Sequence, residues 1–354
     1  MPHIAAVEVA FPRHYYAQQD LAEALLGMAR IQELGFDRER VLRFFAAVGV
    51  SGRHLALPIE RYAQLQGFGD RNSAWIEAAG ELGARVVSGV LAQAALTPTD
   101  VQLFATSTVT GIAVPSIEAR LMNRLGFDPS CRRLPLFGLG CVAGASGIAR
   151  VSDYLRGRPR DAALLMCVEL CSLTFQPDDA SVANVIATGL FGDGAACVLL
   201  VGDDHPLSEN GGPTVLDTRS VLFPNTERVM GWDVVNTGFR VVLSSDVPTL
   251  AGGELPRAIR EFLWGRGLAP AEIRPWIAHP GGPAVIDALE RGLELEAGTL
   301  RASRECLARI GNISSVSVLE MLREALQSEP RTGGSGLLLA MGPGFSAELV
   351  LLKW

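Results

Sequence analysis

Hydrophobic residues recur along this chain with two periods, one typical of strands and one typical of helices. Strict alternation predicts a strand at residues 3–10, and an unbroken apolar run predicts a fully buried strand at residues 161–170. Further strand patterns occupy residues 101–108, 195–201 and 347–352, and helical patterns occupy residues 18–30, 38–45, 72–95 and 318–326. Because strands and helices alternate in order, we predict an α/β fold.

The second part of the chain repeats the first. Residues 95–105 and 267–277 each read as a helix end, a proline turn, an acidic residue and a strand, 172 positions apart. Adding 171 to Cys141 gives Asn312, and both precede small residues that open a helix. The repeat predicts two pseudo-symmetric α/β halves, residues 1–208 and 209–354, joined by a Gly/Pro/Asn-rich linker. Cys141 and Asn312 would then face each other across the seam.

Residues 134–150 contain a candidate nucleophile. An apolar run leads through Gly138 and Gly140 to Cys141, and apolar residues then follow at helical spacing. The pattern predicts a strand, a tight turn and a buried helix with Cys141 on its first turn. The helix dipole would favour the nucleophilic thiolate there. A small core cysteine packed under a helix is the structural alternative.

Composition excludes several classes of function. With 48% hydrophobic and 19% charged residues, the 354-residue chain can bury a large core. Its formal net charge of -7 gives no reason to expect a nucleic-acid partner. Lys353 is the only lysine among 31 basic residues, so an internal Schiff-base lysine and a Gly-Lys-Ser/Thr phosphate loop are both excluded.

The cysteines and the termini predict the setting in which the protein works. No two of the six cysteines have Cys-x-x-Cys spacing, so we expect no metal site. The first residues lack the features of a signal peptide, and Glu348 and a Gly-Pro-Gly turn interrupt the apolar C-terminal stretch. We therefore expect no membrane span and a reducing, cytoplasmic location.

Two further residues are candidates for chemistry beside Cys141. His279 follows a predicted strand and is held in the stiff turn His-Pro-Gly-Gly-Pro. A histidine so placed can act as an ion-pair base for a cysteine nucleophile. Asn312 at a helix start would by default be an N-cap, yet its amide could also donate to a developing oxyanion.

Four motifs together resemble one known family, the type III polyketide synthases (chalcone synthase-like enzymes on the thiolase fold). The motifs are Gly140-Cys141-Val142-Ala143-Gly144, Leu190-Phe191-Gly192-Asp193-Gly194-Ala195, His279-Pro280-Gly281-Gly282-Pro283 and Gly311-Asn312-Ile313-Ser314-Ser315. The resemblance extends over nearly the whole chain. It implies a thiolase-like fold, in which two pseudo-symmetric α/β halves form a layered αβαβα arrangement.

The resemblance also implies an activity. An acyl-CoA starter would be loaded on Cys141 and extended with malonyl-CoA. His279 would hold Cys141 as thiolate and, with Asn312, polarise the malonyl thioester so that it loses carbon dioxide. CoA thioesters are the substrates, no metal or organic cofactor is implied, and the protein would be a homodimer whose subunits each carry a site.

Further positions match residues that shape the family's cavity or bind CoA. Phe191 matches one aromatic gatekeeper, and Val241 stands where a second aromatic gatekeeper is usual. The other matches are Val109 and Thr174 in the cavity wall, Val114 in a loop that reaches the partner subunit, Gly342, Pro343 and Gly344 in a final turn, and Arg40, Arg43 and Arg53 in a CoA-binding segment.

The sequence favours a fatty acyl-CoA starter and an alkylpyrone or alkylresorcinol product, because Val241 and Val109 remove bulk and polarity from the cavity wall. The alternatives are an aromatic- or malonyl-primed polyketide synthase and a condensing enzyme like ketoacyl synthase III. The His-Pro-Gly-Gly-Pro segment argues against the latter. A catalytically silent scaffold on the thiolase fold is the alternative that is not an enzyme.

Overall fold

A computed structural model describes residues 1–35, 37–210, 212–328 and 333–354. The strands are β1 (His3–Ala10), β2 (His14–Ala17), β3 (Gly52–Leu55), β4 (Leu103–Thr108), β5 (Arg132–Phe137), β6 (Ala162–Leu170), β7 (Asp193–Val201), β8 (Thr214–Leu222), β9 (Met230–Val235), β10 (Gly238–Leu243), β11 (Ile273–Ala278), β12 (Ser335–Gly342) and β13 (Ser346–Lys353). The helices are α1 (Gln18–Gly27), α2 (Ala29–Glu33), α3 (Arg38–Ala47), α4 (Gly67–Gln93), α5 (Ile117–Leu125), α6 (Ala143–Arg156), α7 (Val182–Leu190), α8 (Val247–Gly252), α9 (Glu254–Trp264), α10 (Pro283–Gly292), α11 (Arg301–Ile310) and α12 (Ser315–Gln327).

Nine of these strands form a mixed sheet in the order β11-β12-β13-β8-β1-β7-β6-β4-β5. The first half of the chain supplies five strands and the second half supplies four. A single antiparallel pairing, His3 with Thr214, joins the two groups between β1 and β8. The sheet therefore consists of two sections that meet along one weak seam, as the internal repeat predicts.

Two buried helices, α6 and α12, lie between these sections. Their side chains form one apolar core with residues of β4 and β6 from the first half and of β12 and β13 from the second. On the outer faces, α4 covers β1, β6 and β7, and α9 to α11 cover the strands of the second half. The order helix, sheet, helix, sheet, helix confirms the predicted α/β fold class and its layered arrangement.

The repeat is visible in backbone detail. Ala95 and Gly267, at corresponding positions, both adopt positive φ. Each is followed by a proline-containing turn in which an acidic side chain accepts a hydrogen bond from the backbone N–H three residues earlier, at 2.8 Å for Asp100 and 2.7 Å for Glu272. The strands β4 and β11 then begin. Two copies of one local structure thus deliver equivalent strands to the two sections.

One predicted helix differs from the observed structure, and one observed hairpin was not predicted. The single helix expected at residues 18–30 is interrupted at Met28, whose extended backbone separates α1 from α2. The hairpin β9–β10 did not emerge from the sequence pattern at all. No helix in the described ranges is long and apolar enough to cross a membrane.

Candidate active site

Cys141, His279 and Asn312 line a single cavity of about 340 Å3, here called the reaction cavity. Cys141 follows β5, His279 follows β11, and Asn312 precedes α12. Strands of both sheet sections thus end at the same place, where side chains from the two halves converge. The repeat brings Cys141 and Asn312 together as the sequence predicts.

The cysteine loop depends on close backbone packing. Gly140 has φ +55°, and a β-carbon there would lie 2.5 Å from Cδ of Pro343. At Gly144, a β-carbon would lie 2.4 Å from the carbonyl oxygen of Ser315. The start of α6 can therefore approach the start of α12 only because residue 144 is glycine. Cys141 was predicted on the first turn of the helix, but it lies on a single 3-10 turn just before α6.

Burial opposes a charge on either member of the Cys-His pair. The pKa of the Cys141 thiol is raised to about 12, mainly by desolvation and further by the nearby Glu169. A hydrogen bond with Ser314 lowers this pKa but does not offset the desolvation. Desolvation also lowers the pKa of His279 to about 3. Loss of solvation therefore opposes the effect of the helix dipole, which was expected to favour the thiolate.

Asn312 is fixed by its neighbours in the turn before α12. Its Oδ1 accepts a hydrogen bond from the Ser314 N–H at 2.8 Å, and its Nδ2 donates weakly to the Gly281 carbonyl at 3.4 Å. The N-cap of α12 is Ser314, so Asn312 is not the cap that its position suggested. Among the described residues the amide nitrogen makes one long hydrogen bond, so it can still donate to a developing negative charge.

A buried carboxylate, Glu169, lies beside this group at the end of β6. Its Oε2 accepts hydrogen bonds from the Thr110 hydroxyl at 3.0 Å and the Val109 N–H at 3.1 Å, and its Oε1 accepts one from the Ser315 hydroxyl at 2.8 Å. Burial nonetheless raises its pKa to about 7. Glu169 was not among the residues predicted from the sequence. The available signal was a carboxylate in an otherwise apolar strand, where it needs partners.

Ser314 was also missed, and its backbone is unusual. It adopts φ 47° and ψ -126°, a region that residues other than glycine rarely occupy. Its hydroxyl forms hydrogen bonds that lower the pKa of both Cys141 and Glu169. This conformation at the start of α12 turns the Ser314 side chain toward Cys141 and Glu169.

The hairpin β9–β10 brings an unexpected aromatic residue to the cavity wall. Trp232 on β9 lies directly across from Val241 on β10, and both line the reaction cavity with Phe191 and Val109. From the sequence, Val241 was interpreted as a loss of aromatic bulk in the cavity wall. That inference was incomplete, because Trp232 restores an aromatic ring at the neighbouring position.

A second cavity of about 130 Å3, here called the side cavity, adjoins the first. Phe191, Trp232, Val241 and Cys171 line both cavities and so form the wall between them. Thr174, predicted as a cavity residue, lines the side cavity only.

The remaining predicted residues are distributed unevenly. Pro343 lines the reaction cavity, whereas Gly342 and Gly344 support its turn without lining either cavity. Val114 is 90% exposed and lines neither cavity. These placements fit a wall residue, a structural turn and a surface loop respectively.

The three predicted CoA-binding arginines separate into two groups. Arg40 and Arg43 are exposed on α3, and Arg40 lies 5.5 Å from the ring centre of Phe44, which lines the reaction cavity. The prediction for Arg53 needs correction. Its side chain is 2% exposed and donates to Gln18 and to the carbonyls of residues 188 and 189, so it cannot meet a phosphate at the surface.

Comparison with known proteins gives consistent matches. Residues 2–205 match the family model for the N-terminal domain of chalcone and stilbene synthases, and residues 215–354 match the C-terminal domain. The chain is 47% identical to 1,3,6,8-tetrahydroxynaphthalene synthase of Streptomyces peucetius subsp. caesius, over 99% of this chain and 93% of the relative. It is 37% identical to a putative chalcone synthase of Bacillus subtilis strain 168, over 100% and 99%.

A solved structure agrees with these sequence relatives. The crystal structure of 1,3,6,8-tetrahydroxynaphthalene synthase from Streptomyces coelicolor A3(2), a bacterial type III polyketide synthase, superposes with a TM-score of 0.90. The two chains are 32% identical, and the match covers 99% of each. Fold and sequence thus point to the same group of enzymes.

Proposed function

Because this chain belongs to the chalcone and stilbene synthase family and is a type III polyketide synthase, we propose that Cys141, His279 and Asn312 carry out its condensation reaction. Their convergence in one cavity is the observation on which this assignment rests. The reaction as proposed uses CoA thioesters and requires no metal or organic cofactor. Arg40 and Arg43, exposed beside the cavity, are suited to bind the CoA phosphates.

The first step transfers the starter. A proton moves from Cys141 to His279, and the thiolate attacks the thioester carbonyl of the acyl-CoA. The CoA thiolate leaves and takes up a proton, so the acyl group becomes a thioester of Cys141. Since burial disfavours either charge alone, the thiolate and the imidazolium form as a pair that stabilise each other.

The second step extends the chain. Malonyl-CoA binds with its thioester carbonyl oxygen near Asn312 and His279, and loss of carbon dioxide leaves an enolate. Donors aimed at that oxygen stabilise the negative charge. The enolate carbon then attacks the acyl-Cys141 carbonyl, the Cys141 sulfur leaves as thiolate, and the chain on CoA is two carbons longer.

We further propose that malonyl-CoA supplies both the starter and the extender units, and that the product is a polyhydroxylated aromatic of the tetrahydroxynaphthalene type. Trp232 supports this proposal, because its ring lies beside Val241 in the wall of the reaction cavity and occupies room that Val241 leaves. A bulky ring in the wall favours a short starter over a bulky one. The 47% identity to a tetrahydroxynaphthalene synthase supports the same choice.

A fatty acyl-CoA starter with an alkylpyrone or alkylresorcinol product is the second candidate. The side cavity favours it, because Leu21, Leu25 and Met28 give that cavity an apolar wall in which an alkyl chain could be buried. The two candidates differ in whether an added starter is required.

The experiment that separates them supplies the enzyme with 13C-labelled malonyl-CoA alone or together with unlabelled decanoyl-CoA. We expect fully labelled product from malonyl-CoA alone and little incorporation of decanoyl when both are present. Product formation only in the presence of decanoyl-CoA would reject malonyl priming and select the second candidate. Mass spectrometry of the products gives the number of labelled carbons directly.

We also propose that the protein works as a homodimer. β5 ends the nine-stranded sheet, so its outer edge has no strand partner in the described chain. Phe137 at the end of β5 is 57% exposed, and Val114 is exposed in the loop that follows the neighbouring β4. An unpaired edge strand beside exposed apolar side chains is unfavourable in water. A second copy that covers this edge would bury the apolar side chains and remove that cost.

A further inference from the structure

The hairpin β9–β10 forms a two-stranded sheet of its own, separate from the nine-stranded sheet. It nevertheless carries Trp232 and Val241, which line both cavities. A two-stranded hairpin by itself is marginally stable in water, so contacts with other elements must hold it in place. The position of these two side chains therefore depends on what the hairpin is attached to.

The buried side chain of Gln176 reaches the turn of this hairpin from the segment that precedes α7. Its Oε1 accepts a hydrogen bond from the Thr237 hydroxyl at 2.6 Å, and its Nε2 donates long hydrogen bonds to the carbonyls of Thr237 and Phe239, both at 3.4 Å. The same Nε2 donates to the Thr174 carbonyl at 3.2 Å. One amide side chain thus binds the turn on both sides of Gly238.

Gln176 is itself held in place by α7. Nδ2 of Asn184 donates to the carbonyls of Gln176 and Asp179, both at 2.8 Å. Gly238 leaves the room that this arrangement needs, because it has φ +126° and a β-carbon there would lie 3.4 Å from Nε2 of Gln176 and 3.3 Å from Cδ2 of Phe68. The amide of Gln176 and the ring of Phe68 therefore approach the turn closely.

Phe239 connects this turn with the cavity wall. Its side chain is buried, and its ring centre lies 5.2 Å from that of Phe68 and 6.4 Å from that of Trp232. Because Gln176 binds the Phe239 carbonyl, it fixes the backbone from which this ring projects. A shift of the turn would therefore displace the ring against which Trp232 packs.

We propose that Gln176 is a positioning residue for starter selection, and that it holds the hairpin turn so that Trp232 stays in the cavity wall. The described residues that line the two cavities do not include Gln176, so its effect on a starter must pass through other residues. The inference rests on the proposed function, since it concerns which acyl-CoA reaches Cys141. When the Gln176 side chain is removed, the hairpin can move away from the cavity and a longer starter gains room.

The test measures starter choice in variants of this contact. For each enzyme, kcat/KM is determined for decanoyl-CoA and for acetyl-CoA, each extended with malonyl-CoA, and mass spectrometry distinguishes the products. We expect Gln176→Ala to raise the decanoyl-to-acetyl ratio roughly tenfold, and Thr237→Val, which removes one hydroxyl, to raise it roughly threefold. Thr237→Ser keeps the hydroxyl and should keep the wild-type ratio. An unchanged ratio in both Gln176→Ala and Thr237→Val would overturn the proposal.

A double variant shows whether the effect passes through Trp232. If Gln176 acts by holding that ring, Gln176→Ala should not change the ratio further in an enzyme that already carries Trp232→Ala. Effects that multiply in the double variant would contradict the assignment. Gln19→Ala, on the exposed face of α1, is the matched control and should leave the ratio unchanged. Because Thr237 is exposed, Thr237→Val serves for the same comparison if Gln176→Ala does not fold.

Labelling of Cys141 with iodoacetamide distinguishes a moved wall from a disturbed site. We expect the wild-type labelling rate in Gln176→Ala, and a rate that falls as the ratio changes would count against the proposal.

The proposed function and the role of Gln176 fail in different ways. Product formation by Cys141→Ala would reject the proposed function, whereas a ratio that responds to Gln176→Ala would still identify Gln176 as a positioning residue. Acylation of Cys141 together with a ratio that none of the variants changes would leave the proposed function standing and reject the role of Gln176.

Discussion

At the scale of single residues, the proposed chemistry depends on two groups that burial keeps neutral. Burial raises the pKa of Cys141 and lowers that of His279. In the proposed mechanism a proton passes from Cys141 to His279, which changes no net charge. The thiolate would then depend on the imidazolium as well as on the cysteine loop.

Removing His279 should therefore impair thiolate formation. We predict that His279→Gln slows iodoacetamide labelling of Cys141 at pH 7 by on the order of 10²-fold, and that the apparent pKa of labelling rises by about 1–3 units. His14→Gln, remote on β2, is the matched control. Identical pH profiles for wild type and His279→Gln would mean that His279 does not stabilise the thiolate.

Glu169 makes a separate prediction about stability. Its pKa is raised from an ordinary 4.5 to about 7 in the folded state, so folding favours its protonated form. Stability from this group is present below pH 4.5 and is lost as the pH rises toward 7. The free energy of unfolding of Glu169→Gln, relative to that of the wild type, should therefore rise by up to about 3 kcal/mol between pH 4.5 and 8.

Thermal unfolding across that pH range measures the difference. Glu60→Gln is the control, because Glu60 is exposed and the substitution should leave the pH dependence unchanged. A parallel pH dependence for Glu169→Gln and wild type would show that Glu169 titrates normally.

At the scale of elements, the hairpin β9–β10 supplies part of the wall of the reaction cavity. Trp232 and Val241 are paired across its two strands, so their side chains lie side by side on one face and both line the cavity. We predict that Trp232→Ala raises the preference for decanoyl-CoA over malonyl-CoA as starter by at least tenfold. The reason is volume: an alkyl chain that overlaps the Trp232 ring is overpacked, which costs roughly 1–3 kcal/mol of binding free energy, and Ala removes that overlap.

Val234→Ala is the matched control on β9, because that side chain is 75% exposed and lines neither cavity. Competition between the two CoA esters, with product analysis by mass spectrometry, gives the ratio. An unchanged ratio in Trp232→Ala would remove the main structural support for a short starter.

The sequence predicted the elements with strong periodicity and missed those set by tertiary contacts. The buried strand β6 was predicted from its apolar run, and the repeat located β4 and β11. The break at Met28 and the hairpin β9–β10 have no comparable local signal. For the same reason Val241 was interpreted without its cross-strand neighbour Trp232, because pairing register is a property of the fold.

The site shows the same division. Cys141, His279 and Asn312 were identified because glycine and proline residues around them mark unusual turns. Arg53 was wrongly predicted to lie at the surface. Nothing in the local sequence indicates that its guanidinium donates to three acceptors inside the fold. Glu169 and Ser314 were missed because their importance arises from what surrounds them.

At the scale of the whole molecule, the internal repeat explains why the site lies where it does. The two sheet sections meet at β1 and β8, and α6 and α12 pack between them with their starts together. Each half therefore contributes part of the site, and neither half alone could hold it.

The proposed dimer adds a prediction at this scale. Size-exclusion chromatography with light scattering should give twice the 37.7 kDa chain mass for the wild type. Phe137→Glu places a charge on the exposed edge and should shift the protein toward monomer, whereas Trp264→Glu, also exposed but on α9, should not. A monomeric wild type at micromolar concentration would contradict the proposal.

In the proposed mechanism Cys141 is the residue that becomes acylated, and the most direct measurement is the site of acylation. The enzyme is incubated with 13C-labelled malonyl-CoA, quenched in acid, digested and mapped by mass spectrometry. We predict a labelled acyl group on the peptide that contains Cys141, and neither acyl-enzyme nor product in Cys141→Ala. Label on the peptide of Cys131 or Cys171, or product formation by Cys141→Ala, would contradict the account.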